Sequence, residues 1–385
     1  MSRTIDPGGL LDASARWRLT AAGVCLIAAC YGMARFAYGM FVPVFREEFG
    51  LDSTTSGAIA SGSFLSYCVA IVAASLLTPR FGARTVAVAA GAIAVLGTLV
   101  IAAAPNVTVL AIGVLVAGSS TGIASPPLAH AVARTVIERD RSRTQTVINA
   151  GTGIGVAVAG PIALIAHDHW RLAWVAFAVT CALVTAWAAA SVPAARGGSD
   201  DASFLPAPLL PVGSGRLILA AAAAGLASAA VWTLGREVLV TDGGLGETRS
   251  LVAWIILGCF GVVGAAAGDL IRRLGLRGAW LATMLAMAGG TALLGSFPGL
   301  VGVAWFAAAA FGASYIAVSG VLLLWGTKVY PEAPAAGVGL AFLVLALGQA
   351  GGSLLVGALA EAGAQFAFLT AAAVAVAGAL VRPRA

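Results

Sequence analysis

The chain has 385 residues, of which 60% are hydrophobic and only 10% charged, and its mean hydropathy is +0.98. So few charged side chains cannot coat a water-soluble domain of this length, and most of the surface is expected to face lipid. The net charge of +6 does not indicate nucleic-acid binding, because the arginines are scattered between apolar runs and form no basic stripe.

Apolar runs long enough to cross about 30 Å of hydrocarbon follow one another in two sets of six. The first set is Leu19–Val44, Ala58–Thr78, Val86–Ala104, Val107–Val132, Val147–Ala166 and Leu172–Val192. The second set is Leu217–Val240, Leu251–Ile271, Ala279–Phe297, Leu300–Gly326, Ala335–Ala360 and Ala362–Val381. The sequence therefore predicts an all-α membrane protein with about twelve transmembrane helices. Its two six-helix halves are residues 1–192 and 217–385, and a polar linker, residues 193–216, joins them.

The distribution of Lys and Arg predicts the orientation in the membrane. With the N-terminus in the cytoplasm, seventeen of these residues fall on the inner side and four on the outer side, with Arg35 inside a span. We therefore expect both termini, and the linker, to be cytoplasmic in a bacterial inner membrane. The first apolar run is too long for a cleavable signal peptide and is expected to remain as a helix.

Neither cysteine nor histidine spacing indicates a cofactor. The five cysteines fall inside apolar runs without a CxxC or His-associated pattern, and we interpret them as small core residues: Cys25, Cys30, Cys68, Cys181 and Cys259. The segment His167-Asp168-His169-Trp170 has metal-binding residue types, but no further ligand is near in sequence, so a solvated turn is expected. No metal or other cofactor is predicted.

An internal repeat relates the two halves. The loop Ser75–Arg84 after the second span matches the loop Gly268–Arg277 after the eighth at a constant offset of 193. A weaker match at an offset of 194 pairs Gly118, Ser120, Ser125 and Leu128 with Gly312, Ser314, Ser319 and Leu322. Many transporters are built from such repeats, with the substrate held at the interface between them.

The two repeated loops resemble the G-x-L-x-D-R-x-G-R-R loop of the major facilitator superfamily, and span count, central linker and charge asymmetry are similar as well. Within that superfamily, the segments Arg35–Pro43 and Asn149–Gly155, followed by Gly160-Pro161, look like the YbfB-like branch. The resemblance implies a transporter with two six-helix halves, usually monomeric, that works by alternating access. It brings no established substrate.

The loops depart from the superfamily pattern at one position. Pro79 and Arg272 stand where the family usually has an acid, and Ser75 replaces the first glycine. The resemblance implies a cytoplasmic latch in which loop arginines meet helix C-termini or a displaced acid. Its candidate gating residues are Arg80, Gly82, Arg84, Gly268, Asp269, Arg273, Gly275 and Arg277. Alternatively, these arginines only anchor the spans at the lipid surface.

Arg35 is the first candidate for contact with a solute. An arginine at the centre of a membrane helix costs about 2.5 kcal/mol or more on insertion scales, so it usually faces a cavity or a partner. Arg35 lies about two-thirds along the first span, with Tyr31 and Tyr38 one turn to either side. Its guanidinium suits a carboxylate of the substrate. The alternatives are a structural pairing with Glu237 or helix-end carbonyls, or snorkelling outward.

The seventh span carries a second polar group, Trp232, Arg236 and Glu237. Trp232 and Arg236 are four residues apart, so the guanidinium is expected to stack on the indole. If the first and seventh spans face each other, as they do in the superfamily, Arg35 and Glu237 are candidates for an outer gate. An ordinary interfacial Trp/Arg anchor is the alternative.

Further polar residues lie in other spans. His130 follows Pro126 and Pro127, which are expected to break the fourth helix; it is a candidate for carrying a proton, or else a structural histidine. The remaining substrate-binding candidates are Asn149, Tyr315 and Gln349. The glycines of the fifth span, Gly151, Gly153, Gly155 and Gly160, indicate close helix packing.

The sequence therefore predicts a secondary or facilitative transporter of a small solute, with organic anions bound by Arg35 as candidate substrates. The alternative is an exporter of hydrophobic or drug-like compounds, and a remote one is a membrane-embedded enzyme, for which the three histidines offer little. No carboxylate lies at the middle of a span, which disfavours a proton symporter built on such an acid, although a coupling proton or a counter-substrate stays open.

Overall fold

The computed structural model describes residues 11–166, 169–194 and 208–383, and they form a bundle of helices. The helices are α1 Ala13–Phe49, α2 Ser53–Phe81, α3 Ala83–Ala102, α4 Val107–Thr135, α5 Glu138–Ile165, α6 Trp170–Ser191, α7 Ser214–Thr241, α8 Glu247–Val263, α9 Ala267–Ser296, α10 Val301–Val329, α11 Pro334–Ala360 and α12 Ala364–Ala379. Most of the predicted linker, residues 195–207, lies outside the described residues. Its last three residues form the first turn of α7 instead.

Local sequence explains where several helices begin and end. The side chains of Asp12, Asp52 and Asn106 accept hydrogen bonds from backbone N–H groups in the first turns of α1, α2 and α4. Asp52 is outside the membrane spans, and its hydrogen bonds from Thr55 lower the pKa of the carboxyl below its usual value. Gly50 ends α1 with φ 66°, which glycine adopts without steric cost.

Ten helices within the described residues are long and apolar enough to cross a membrane. The two that fall short are α8, with 17 residues, and α12, with 16. A 3-10 turn, Gly264–Ala266, connects α8 to the start of α9, and α9 itself is kinked at Gly275. The eighth span therefore extends from α8 through this turn almost to Gly275, and the twelve-helix arrangement predicted from the sequence is confirmed.

Two predicted details of the helices are wrong. The fourth helix is not broken at Pro126 and Pro127, since α4 continues through both to Thr135. The irregular backbone lies elsewhere: α1 contains a π-helical segment, Ala28–Phe36, and α5 breaks at Ala150. Cys259 is not a core residue, because it is exposed on the outside of the bundle, whereas Cys30, Cys68 and Cys181 are buried.

The two halves repeat each other in backbone conformation. Gly82 has φ 88° and ψ 150°, and Gly275, its counterpart at the offset of 193, has φ 70° and ψ 169°. This region of the backbone map is open essentially to glycine alone. The loop repeat read from the sequence therefore corresponds to a repeated, glycine-dependent reversal of the chain.

Helix packing repeats at the same offset. A Cβ on Gly118 of α4 would meet Ser63 of α2, and a Cβ on Gly312 of α10 would meet Leu257 of α8. Both pairs are related by the offset of 194, so the weaker repeat found in the sequence is structural as well.

The halves pack against each other through α1 and α7, α2 and α11, and α5 and α8. We call the side of the bundle that carries residues 50–52, between α1 and α2, the loop-1 end, and the opposite side, where α1 begins, the N-terminal end. At the loop-1 end, a Cβ on Gly39 would lie 2.0 Å from the carbonyl oxygen of Trp232, so α1 and α7 are in backbone contact there. Glu361, just after α11, accepts a hydrogen bond from the backbone N–H of Thr54 at 3.0 Å.

Candidate substrate-binding site

Arg35 lies in the middle of the bundle, between the two halves. The π-helical segment of α1 carries it, and only 6% of its surface is exposed. Its guanidinium carbon lies 4.3 Å from the ring centroid of Phe64 and 4.6 Å from that of Tyr67, both on α2. Nη1 donates a long hydrogen bond, 3.4 Å, to Oγ1 of Thr121 on α4.

The hydrogen-bonding capacity of Arg35 is largely unused. Its Nε and Nη2 are buried and have no partner, and none of the ion pairs among the described residues includes Arg35. Stacking on rings offsets part of the desolvation of the cation, but an unpaired buried charge still costs several kcal/mol in order of magnitude. Arg35 is therefore a buried cation that stacks on rings and has no ion-pair partner among the residues that the structure describes.

Aromatic side chains from both halves meet beside Arg35. Phe36 of α1 stacks on Trp232 of α7 with ring centroids 3.9 Å apart and 25° between the planes. Tyr315 of α10 meets Trp232 edge-on at 5.1 Å and Phe36 at 6.3 Å. These rings form a cross-half aromatic cluster, which we define as Phe36, Trp232 and Tyr315.

A cavity of about 10 Å³, room for about one water molecule, is lined by Arg35 together with Phe36 and Trp232 of this cluster. Its lining includes Ser63, whose hydroxyl is buried without a partner, and Trp232, whose indole N–H also has none. Arg35 is the single charged residue in the lining. The lining therefore combines one cation with the aromatic residues Phe36, Tyr38, Phe64 and Trp232.

Several predicted polar residues join the same region. Gln349 of α11 donates from Nε2 to the hydroxyl of Tyr315 at 3.1 Å and to Ser228 of α7 at 3.3 Å. Tyr31 shares a hydrogen bond with Ser125 of α4 at 2.9 Å, and its ring meets that of Tyr67 edge-on at 6.4 Å. The structure thus brings together Arg35, Tyr31, Trp232, Tyr315 and Gln349.

Tyr38 also lines the cavity, and its hydroxyl donates to the backbone carbonyl of Ser56 at 3.1 Å. It connects the cavity to the loop-1 end, because its ring stacks with that of Phe45, about two turns further along α1.

Glu237, considered above as an alternative partner of Arg35, pairs with Arg46 instead. Glu237 is buried near the end of α7, and its Oε1 accepts from Nε of Arg46 at 2.9 Å. Arg46 lies three turns beyond Arg35 on α1, at the loop-1 end, where it also donates to Ser53 at 2.6 Å. Among the described residues this is the one ion pair between the halves.

The expected stacking of Arg236 on Trp232 is also replaced by other contacts. Arg236 is 3% exposed, and its Nη1 donates to the backbone carbonyl of Met40 in α1 at 2.7 Å. Its other nitrogens bind Ser250 at 3.1 Å and Glu247 at 3.4 Å. Arg236 therefore fastens α7 to α1 and α8 and is not available to a solute in this conformation.

Two candidate residues lie away from the central cavity. His130 is half-buried five residues before the end of α4, near Arg134, and its Nε2 has no hydrogen-bond partner. Asn149 lies at the break in α5, where neighbouring Gly151 packs against Val24 of α1. Val24 is eleven residues before Arg35, which is about 16 Å along a helix. Of the His167–Trp170 segment, His167 and Asp168 lie outside the described residues, and His169 is exposed.

The candidate gating loops make their side-chain contacts within their own halves. Arg84 donates from Nε to the carbonyl of Val192 at 2.8 Å, at the C-terminus of α6, one of the two kinds of partner expected for the loop arginines. Asp269 pairs with Arg272 of its own loop. Arg80, Arg273 and Arg277 are exposed, and Gly268 is half-buried.

Five residues around Arg35 and the cavity were not predicted from the sequence: Phe36, Ser63, Phe64, Tyr67 and Thr121. Phe64 and Tyr67 are three residues apart on one face of α2, and Ser63 is beside them, so an aromatic pair with small polar neighbours was a visible signal. What the sequence could not supply is the rotation of α2 about its axis, which turns this face toward Arg35 and away from lipid.

Comparisons with known proteins agree with the fold. Residues 24–352 match the family model described as Major Facilitator Superfamily. A stretch of 133 residues is 28% identical to the uncharacterized MFS-type transporter YhcA of Bacillus subtilis (strain 168). That stretch is 34% of this chain and 25% of the relative, so the chain spans about a quarter of the length of the curated relative it matches.

Two solved structures are similar over nearly the whole chain. The nucleoside transporter NupG, solved as a point mutant, superposes with a TM-score of 0.74 at 13% identity over 95% of this chain and 98% of its own. A bacterial homologue of the human lysosomal transporter Spinster, in an inward-facing and occupied conformation, superposes with a TM-score of 0.73 at 13% identity over 95% of each chain. At this identity the likeness is one of fold.

Proposed function

Since the chain belongs to the major facilitator superfamily, we propose that it carries a small organic anion across the membrane by alternating access, and that Arg35 binds the anionic group. The observation that carries this proposal is the state of Arg35: a buried guanidinium between the halves whose Nε and Nη2 have no partner. A carboxylate or sulfonate would accept from both nitrogens and neutralise the charge.

The position of the site supports transport. The cavity lies where Trp232 of the second half closes over residues of the first half, so a movement of one half against the other would change the site's access to the two sides of the membrane. At the loop-1 end the halves are joined by the Arg46–Glu237 ion pair, the Arg236–Met40 hydrogen bond and the close approach at Gly39. We propose that this is the closed side, and that the substrate leaves or enters at the N-terminal end.

The distribution of Lys and Arg supports a proposal for the orientation of the chain in the membrane and for its location in the cell. We propose that the N-terminal end faces the cytoplasm of a bacterial cell, so that the described conformation is closed toward the outside. We further propose that the chain acts as a monomer, a secondary or facilitative transporter in the inner membrane, and that it belongs to the YbfB-like branch on the strength of its Arg35–Pro43 segment.

The test is uptake of labelled organic carboxylates and sulfonates into proteoliposomes. Wild type, Arg35→Ala and Arg35→Lys are compared, with Arg249→Ala as the matched control, because Arg249 is exposed at the start of α8. We expect saturable uptake that falls about 100-fold or more in Arg35→Ala, since the buried charge pair is lost, and is partly kept in Arg35→Lys. An imposed pH gradient reports proton coupling.

The opposite result is equally clear. Saturable anion uptake that is the same in wild type and Arg35→Ala would refute the role of Arg35. Uptake of neutral hydrophobic compounds in place of anions, insensitive to Arg35→Ala, would support the alternative of an exporter of hydrophobic compounds, for which the ring-lined cavity is the favourable observation.

A further inference from the structure

We infer that the substrate is a monovalent anion with a planar, uncharged body, and that its ring occupies the place between Phe36 and Trp232. This inference rests on the proposed function and narrows it to one class among organic anions: aromatic monocarboxylates and monosulfonates. Dianions, amino-acid-like zwitterions and neutral aromatic compounds are excluded from this substrate class.

The charges around the cavity set the first limit. Arg35 is the single charged residue of the lining, so one negative charge neutralises the site. A dianion would leave a net negative charge in a buried place, and a zwitterion would bring an ammonium group that needs a carboxylate. The nearest candidate carboxylate, Glu237, is already held by Arg46 at the loop-1 end.

The unpaired groups set the second limit. Besides Arg35, the lining includes Trp232, whose indole N–H is buried without a partner, and an arginine or indole nitrogen donates but does not accept. A group rich in acceptor oxygens, such as a carboxylate or a sulfonate, satisfies several of them at once. A neutral amide would leave the guanidinium unneutralised.

The rings set the third limit. Phe36 and Trp232 stack face to face, although one belongs to α1 and the other to α7. When the halves separate, this stack must open, and both rings lose a face-to-face partner. A planar ring placed between them restores stacking on both sides, while its anionic substituent reaches Arg35, the residue next to Phe36.

The cavity is so small that the ligand's ring must replace the direct contact between Phe36 and Trp232. About 10 Å³ holds one water molecule and no aromatic acid, so the ligand's ring takes up the space that appears as Phe36 and Trp232 part. The ligand is then enclosed by the same rings that close the empty site, with Tyr315 meeting its edge through the contact it now makes with Trp232.

The test is binding to the purified full-length protein, measured by calorimetry with four probes that share one ring. They are benzenesulfonate, benzene-1,3-disulfonate, zwitterionic 4-(aminomethyl)benzenesulfonate and neutral benzenesulfonamide. We expect benzenesulfonate to bind about 30-fold or more tightly than the other three, because each of those leaves an uncompensated buried charge. Equal binding of the dianion or the zwitterion would overturn the inference.

The ring's place is tested by Phe36→Leu and Trp232→Leu, with Phe306→Leu as the matched control on the lipid-facing side of α10, where Phe306 is 66% exposed. Each site variant is expected to weaken benzenesulfonate about fivefold or more. Phe36→Leu should leave the Kd of methanesulfonate unchanged, since only the stacking is lost. Trp232→Leu also removes an indole N–H donor, so it should weaken both probes, benzenesulfonate more than methanesulfonate. Equal effects on both probes, or none, would contradict the proposed place of the ring.

These outcomes remain separable from those of the proposed function. If all four probes, or only the dianion, bind and Arg35→Ala abolishes that binding, anion transport through Arg35 stands and the monovalent, ring-bearing class is wrong. If benzenesulfonate binds equally to wild type and Arg35→Ala, the proposed function and the inference both fail.

Discussion

The carboxylate of Glu237 and the guanidinium of Arg46 are 2.9 Å apart and join α7 to α1 across the two halves. The side chain of Glu237 is 7% exposed and that of Arg46 is 30% exposed. Water can therefore solvate Arg46 when Glu237 is removed, but it can hardly reach Glu237 when Arg46 is removed. Oε2 of Glu237 has no hydrogen-bond partner, which leaves Arg46 as the main stabiliser of this buried charge.

The asymmetry predicts different costs for removing each partner. Arg46→Ala leaves Glu237 charged and buried and should destabilise the protein by about 2 kcal/mol, a value reduced from that of a fully buried pair because Arg46 is partly solvated. Glu237→Gln should cost less, and the double variant should be more stable than Arg46→Ala alone. Thermal unfolding in detergent measures all three, and a double variant no better than Arg46→Ala would contradict this account.

The absence of a side chain at Gly39 allows α1 and α7 to come into backbone contact. A methyl group there would lie 2.0 Å from the carbonyl oxygen of Trp232, so Gly39→Ala forces the helices apart at the loop-1 end. We expect a melting temperature lower by several degrees, although alanine favours a helix over glycine by about 1 kcal/mol. Gly302→Ala, in α10 with open space around it, is the control and should be as stable as wild type or more so. Equal melting temperatures for both variants would show that the contact does not hold the halves.

Much of the fold could be predicted from the sequence, because a membrane span is defined by its length and apolarity and the loop repeat by a few fixed residues. The glycine-dependent reversals at Gly82 and Gly275 are examples. The site was predicted only in part. Arg35 was found because a charge in an apolar run is conspicuous, whereas its neighbours Phe64 and Tyr67 are as apolar as residues that face lipid.

The partners of the charged residues were harder to predict. Arg35, Arg46, Arg236 and Glu237 all lie on α1 and α7, and helical spacing alone permits several pairings. The π-helical segment Ala28–Phe36 changes the rotation of Arg35 relative to Arg46, and the vertical alignment of α1 with α7 is set by the contact at Gly39. Neither feature has a sequence signal as strong as a charge in an apolar run.

The repeated reversals predict a matched pair of variants. Gly82→Ala and Gly275→Ala each place a Cβ in a backbone region that only glycine occupies readily, and each should destabilise the protein by about 1–3 kcal/mol. Gly289→Ala, within helical α9 and with open space around it, should not. Thermal unfolding of the three variants checks this, and a stable Gly275→Ala protein would mean that the two loops are not equivalent.

The orientation predicts which cysteine reacts from outside an intact cell. In a variant without native cysteines, Thr248→Cys marks the loop-1 end and Lys328→Cys the N-terminal end, and both positions are exposed. A membrane-impermeant maleimide should label the first in intact bacteria and the second only after permeabilisation, because the arginine-rich side stays inside. The reverse pattern would place the termini outside and invert the closed side proposed above.

Thr121 offers a way to supply Arg35 with a permanent partner. Its Oγ1 is 3.4 Å from Nη1, and aspartate is close to threonine in size, so Thr121→Asp should place a carboxylate against the guanidinium with little repacking. If Arg35 is held unpaired for a substrate, this variant should melt at a higher temperature than wild type and should no longer bind or transport organic anions. Thr121→Asn, which has the same shape without the charge, should do neither. A Thr121→Asp protein that is less stable than Thr121→Asn, or that still transports anions, would show that the charge of Arg35 is already satisfied in another way.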